Sequence, residues 1–334
     1  MENSSNKNDW KSEVQMILNT KFRNAITILL TLTVGLVVVT GCDSDTSNID
    51  ESQEIKNRGY SNPERLVSAD WLKDHINDSG LVVIDTRNED DYNSGHIPGA
   101  VRIDAKKAFQ AEDAKGLPGM LPSSHHIAAA LSSVGVSPED TVIFYDGSSN
   151  KWPSRGLWAL DVYGHVDSRL LDGGWSYWSS NGYDTEQDTR SIFESEYSFS
   201  GTSDTSLIAN WDEVMESVDD PSKIVCDTRS PEEYAGKDLR ADRGGHIPES
   251  SNVNWVRSVG EDGRFLPASD LKVIYEGAGI QGDKVIFTLC QTAVRATHTW
   301  FVLQELLGYP TVKVYDGSWI EWGNREDLPI TTRG

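Results

Sequence analysis

The sequence predicts an α/β protein made of two tandem domains, each a mostly parallel sheet with helices on both faces. Three observations carry that expectation. First, the chain repeats itself: VVIDTRNEDDY (Val82 to Tyr92) matches KIVCDTRSPEEY (Lys223 to Tyr234), and each is followed by Gly-His-Ile-Pro, at Gly95 to Pro98 and Gly245 to Pro248. Second, short runs rich in β-branched and aromatic residues, TVIFYDG (Thr141 to Gly147) and KVIFTLCQ (Lys284 to Gln291), alternate with helical patterns. RATHTWFVLQELLGY (Arg295 to Tyr309) shows the helical pattern, an apolar stripe ended by Gly308. Third, the spacing agrees: 29 residues separate Asp146 from Trp175 and Cys290 from Trp319, and Gly164 and Gly308 each fall 18 residues after Asp146 and Cys290. By this count Asp146 stands where Cys290 stands, and Lys151 where Arg295 stands.

Taken in order, the chain opens with an uncharged apolar run, Ala25 to Gly41, preceded by Lys21 and Arg23. It is shorter than the roughly 20 residues of a comfortable membrane span, and its basic flank suits a secretory signal. It ends in Val39-Thr40-Gly41-Cys42, which resembles a bacterial lipobox. Residues 1–42 are therefore expected to be a lipoprotein signal peptide with Cys42 as the lipidation site. An uncleaved anchor helix is the alternative, and Met16 is a second candidate start. Either way the remaining chain is expected outside the cytoplasm, held to the membrane of the cell envelope. Residues 43–62 are polar and acidic and are expected to form a flexible tether. The first domain is placed at 63–182, a polar linker with some aromatic residues at 183–204, and the second domain at 205–330.

The formal charge of −22 argues against a nucleic-acid partner, because phosphate recognition needs a basic face. Of the three cysteines, Cys226 and Cys290 remain once Cys42 is set aside, and an oxidising compartment would permit a disulfide between them. No pair has zinc-ligand spacing and His125-His126 has no nearby thiol, so neither metal nor cofactor is expected. Cys226, inside IVCD, reads as a small core residue. Cys290 sits at the exit of an apolar strand, before small and basic residues, where a helix N-terminus favours a thiolate. His96 and His246 read as partners of the local backbone.

The doubled strand-Asp-Thr-Arg and Gly-His-Ile-Pro motifs, with a cysteine loop in the second copy alone, resemble the tandem rhodanese family. MLPSSHHIAAAL (Met120 to Leu131) and GRFLPASDL (Gly263 to Leu271) are similar to its connecting segments. The resemblance implies a sulfurtransferase that moves a sulfane sulfur from thiosulfate to cyanide or a thiol through a Cys290 persulfide. It implies a substrate-binding loop of Gln291, Thr292, Ala293, Val294 and Arg295, with Arg229 and Asp227 nearby, and a non-catalytic first domain. Backbone amides curled round one sulfur would form an anion-binding nest. Arg295 suits the sulfonate of thiosulfate, by charge-assisted hydrogen bonds. The family usually has Gly where this chain has Ala293, and a basic residue where it has Glu233. Competing readings are a 3-mercaptopyruvate sulfurtransferase, a non-catalytic sulfur-relay or binding protein, and a phosphatase, whose loops are one residue longer.

Overall fold

The computed structural model describes residues 51–188 and 191–332. The apolar run Ala25 to Gly41 and Cys42, expected as signal peptide and lipidation site, lie outside them. In the first half, β1 (Leu66–Val67), β2 (Leu81–Asp85), β3 (Val101–Arg102), β4 (Thr141–Tyr145) and β5 (Asp167–Leu171) form a parallel sheet of order β1-β5-β4-β2-β3. In the second, β6 (Ile208–Ala209), β7 (Lys223–Asp227), β8 (Ser251–Asn252), β9 (Val285–Leu289) and β10 (Val312–Tyr315) repeat it as β6-β10-β9-β7-β8. The central strands β4 and β9 are nearly continuous apolar runs because helices cover both of their faces.

Polar residues start several of the helices. Ser68 caps α2 (Ala69–His75), which follows α1 (Glu51–Asn57), and Asn88 caps α3 (Glu89–Ser94). Next come α4 (Ala105–Phe109), α5 (Ser124–Ser133), α6 (Lys151–Tyr163), α7 (Gly174–Ser180) and α8 (Trp211–Met215). The second half continues with α9 (Pro231–Tyr234), closed by a Ser230–Glu233 capping box, then α10 (Ala268–Glu276), α11 (Val294–Phe301) and α12 (Ser318–Trp322).

Three apolar cores result among the described residues. An outer core of Val67, Leu72, Ile143 and Trp178 belongs to the first half, and another of Val214, Phe287, Trp319 and Trp322 to the second. The largest lies between the sheets and draws on both halves, with Phe109, Phe144, Leu157 and Trp158 beside Ile286, Trp300, Phe301 and Leu303. Here α6 packs on α11. Each fully buried large side chain contributes about 1.5–3 kcal/mol by leaving water.

Two homologous acids close this seam differently. Asp316, before α12, accepts from Arg155 Nη1 of α6 at 2.7 Å. Its counterpart Asp172 takes Arg58 Nη1 at 2.7 Å, from the segment after α1. Tyr60 is buried and donates to the Phe265 and Leu266 carbonyls, and Ser61 N–H donates to Leu306 O at 2.9 Å. The expected tether at 43–62 is thus corrected from Glu51 onward: this stretch is a strap held to both halves. Its composition is that of a tether, but Arg58 and Tyr60 find partners some 114 and 205 residues away. Beyond the first half, Glu186 pairs with His96 in an antiparallel bridge, and Tyr197 meets His165 Nδ1 at 2.9 Å.

Candidate active site

Cys290 follows the carboxyl end of β9, beside β7, where the strand order reverses and ligands of open α/β sheets bind. It is 1% exposed. The next residues turn sharply into α11, and each early carbonyl of the turn is held from outside. Trp319 N–H donates to Cys290 O and Ile320 N–H to Gln291 O, both at 3.0 Å, and Gln110 Nε2 of the first half donates to Thr292 O at 3.0 Å. In a trans peptide the following N–H points the opposite way, so these carbonyls turn the N–H groups of Gln291, Thr292 and Ala293 to the inner side. There the Ser318 hydroxyl accepts from Cys290 N–H at 3.2 Å and Ala293 N–H at 3.1 Å.

The equivalent loop of the first half shows what such a ring holds. Trp175 N–H donates to Asp146 O and Ser176 N–H to Gly147 O, as in the second half. On the inner side, the N–H groups of Ser148, Ser149 and Asn150 converge on Asp146 Oδ1 at 2.9–3.1 Å, and Lys151 N–H reaches Oδ2 at 2.9 Å. Burial pushes this carboxyl's pKa up against the four amides that hold it down. The loop is an anion nest filled by its own side chain.

The two loops differ by one residue, which corrects the count-based pairing of Lys151 with Arg295. The left-handed residue that opens the helix is Asn150 (φ 55°) in the first half, four after Asp146, but Ala293 (φ 59°), three after Cys290, in the second. Val294 therefore matches Lys151, Arg295 matches Trp152, and His298 matches Arg155. The extra helical residue is absorbed by a π turn, Val302–Leu306, closed by Leu307 N–H to Val302 O at 2.9 Å. Register returns at Gly308, which like Gly164 has positive φ.

Arg295 does not present an open fork. Its Nη1 and Nη2 bind the two oxygens of Glu233 at 2.6 and 2.8 Å, and Glu233 is 1% exposed. Burial alone would raise the Glu233 pKa; Arg295, the Ser230 N–H and Arg240 outweigh it and hold the carboxylate at about 2. Burial disfavours the Arg295 cation, but Glu233 and the nearby Cys290 sulfur raise its pKa further above the ordinary value. Arg240 lies 3.5 Å from Glu233 with its side chain half in solvent, and Gln291 Nε2 donates to its carbonyl at 2.8 Å. Beside the loop, the Asp113 to Pro118 excursion and Ile320, Glu321 and Arg325 border a cavity of about 740 Å³.

Asp227 and Arg229, expected near substrate, are buried. Arg229 grips Asp227 through Nε and Nη2, donates to Gly245 O at 2.8 Å and stacks on Trp319 at 4.1 Å. Asp85, Arg87, Gly95 and Trp175 repeat this arrangement in the half without a thiol, so it braces loops in both halves. His96 and His246 each donate Nδ1–H to a carbonyl, Tyr92 and Tyr234, at 2.9 Å. Cys226 and Cys290 are free thiols, and burial pushes the Cys226 pKa far above the ordinary range.

The chain matches the rhodanese-like domain twice, over residues 68–181 and 210–325. It belongs to the rhodanese family. Among its relatives is the protein named sulfur carrier protein TtuD of Thermus thermophilus, 37% identical over 285 residues, covering 81% of this chain and 98% of that protein. Another is a protein of Corynebacterium glutamicum named thiosulfate sulfurtransferase, 36% identical over 284 residues, covering 82% of this chain and 92% of that one. The crystal structure of an anaerobic ergothioneine biosynthesis enzyme from Chlorobium limicola superposes with a TM-score of 0.72 at 23% identity, over 82% of this chain and 71% of that one; the likeness is one of fold.

Sequence reasoning on this rhodanese did not find Ser318, Gln110 or the Arg155–Asp316 pair. Ser318 left one signal: it sits in the left-handed region (φ 49°) where the first copy has Gly174 (φ 54°). A serine at a strained position that glycine fills in the sister copy marks a hydroxyl in use.

Proposed function

We propose that this rhodanese is a sulfurtransferase that takes the sulfane sulfur of thiosulfate onto Cys290 and passes it to cyanide or a thiol. The reading is carried by one observation: a cysteine, and not an acid, occupies the ring whose copy already binds an anion. The Cys290 thiolate attacks the outer sulfur of thiosulfate, a new S–S bond forms, and the old one breaks with its electron pair leaving on sulfite. The acceptor anion then attacks the terminal sulfur, and Cys290 departs as thiolate, so two easier steps replace one. Gln291 to Arg295 supply the ring and the helix N-terminus that stabilise sulfur anions at both stages. Because Glu233 occupies the buried Arg295 fork, the half-exposed Arg240, paired at the surface with Asp238, is the more accessible cation for the donor's sulfonate, and Arg295 contributes its charge from behind.

The shortened loop weighs against phosphoryl transfer, since a turn that closes three residues after the cysteine encloses one atom better than a tetrahedral group. The envelope location and a lipid anchor at Cys42 belong to the same proposal, supported by the apolar run and Val39-Thr40-Gly41-Cys42. Thiosulfate treatment of the purified soluble part followed by intact mass measurement tests the chemistry. The wild type is expected to gain one sulfur that cyanide removes, and Cys290→Ala to gain none. A gain that survives in Cys290→Ala and vanishes in Cys226→Ala would overturn it.

A further inference from the structure

We propose that Gln110, in the half without a thiol, is a positioning residue for sulfur transfer. The inference rests on the function above and goes further, because it makes the first half part of the catalytic loop's geometry. Of the three carbonyls held outward in the Cys290 turn, two are held by α12 of the same half, through Trp319 and Ile320. The third, Thr292 O, is held by the Gln110 carboxamide from 182 residues away. All described peptide bonds are trans. The direction of Thr292 C=O therefore sets that of Ala293 N–H, which meets Ser318 Oγ on the inner side.

Gln110 is itself fixed on both flanks. The Phe109 carbonyl accepts from Arg155 Nε at 3.1 Å, and Ala111 exchanges two backbone bonds with Met120. Arg155 is fully buried, reaches Gly119 O, and pairs with Asp316, whose other oxygen accepts from Leu121 N–H. The excursion carrying Gln110 is thus bolted to the residues that lead into Ser318. Gly119 (φ 86°) completes the seat: a Cβ there would lie 2.9 Å from Thr292 Cβ, so only glycine lets the excursion approach the loop. The first half thereby aims one amide of the ring that it cannot use itself.

Gln110→Glu tests this at nearly constant shape, replacing the donor by an oxygen that faces the Thr292 carbonyl. Its kcat with thiosulfate is expected to fall about ten-fold, the effect of one lost hydrogen bond, and exchange of the Ala293 amide with deuterium to quicken about as much. KM is expected to stay within about two-fold, as for an interaction made after binding. Gln110→Lys keeps a donor and is expected to regain most of the loss. Wild-type kcat and exchange in Gln110→Glu would overturn the proposal. So would a loss that Gln110→Lys does not relieve and that tracks a fall in melting temperature, because that is plain interface packing. The exchange readout needs no turnover, so it stands even where the wild type fails to take up sulfur, which would defeat the functional reading alone.

Discussion

The loops after β4 and β9 share their frame and differ in what they enclose. Both hang their first two carbonyls on the helix that follows the next strand, α7 or α12. The first, closing at Asn150, is wide enough for a carboxylate whose two oxygens take four amides. The second closes one residue sooner, at Ala293, begins at a thiol and holds a serine oxygen on its inner side. Ring size and occupant have changed together. The first nest is satisfied by its own side chain; on the function proposed above, the second leaves its sulfur free to react.

Making the second loop chemically like the first gives the largest effect. Cys290→Asp is expected to abolish turnover and sulfur uptake, as Cys290→Ala does. It is also expected to be about 1–3 kcal/mol less stable than Cys290→Ala, because the tighter ring overpacks round a carboxylate. Chemical denaturation of the two variants measures this, and equal stability would show the rings to be of the same effective size.

The Arg295–Glu233 pair has no counterpart in the first half, where Trp152 takes the arginine's place. Arg295→Ala strands a buried carboxylate and is expected to cost about 3 kcal/mol at neutral pH, the low end for a broken buried pair because Arg240 remains close. The sign in acid follows from a folded pKa of about 2, below the ordinary 4.5. The pair's stabilisation is complete above the ordinary value and is lost as pH falls through that window. Urea midpoints at pH 7 and pH 3 should therefore differ more in the wild type than in Arg295→Ala. An equal acid loss in both would locate the sensitivity elsewhere.

The smallest effect is expected at the closing residue. Ala293→Gly removes a left-handed strain of about 1 kcal/mol but adds unfolded-state freedom of about 0.5–1 kcal/mol and empties a fully buried Cβ site. Stability and kcat should stay near the wild type. A large loss in either would mean that the methyl group, and not the φ angle, shapes the turn.

The repeat, the two parallel sheets and the position of Cys290 were legible in the sequence because they rest on local signals: apolar alternation, glycine stops and spacing. The one-residue offset between the loops was not. A π turn restores the register, so the count from Cys290 to Gly308 equals that from Asp146 to Gly164. Residue number alone cannot distinguish a short loop with an underwound helix from a long loop with a regular one. The Glu233 fork on Arg295, the strap from Glu51 and the reach of Gln110 were hidden for another reason. Each joins residues 62 to 245 positions apart whose pairing no motif announces, so only the folded chain brings them together.

The apolar core between the sheets has a consequence for how the two copies persist. Here Trp158 and Phe144 lie in the same core as Trp300 and Phe301, and cutting the chain at the linker would expose the broad face of both. An exposed apolar face of that kind invites aggregation. The copy without a thiol therefore serves as the other's missing wall, each keeping the other's inner face from water.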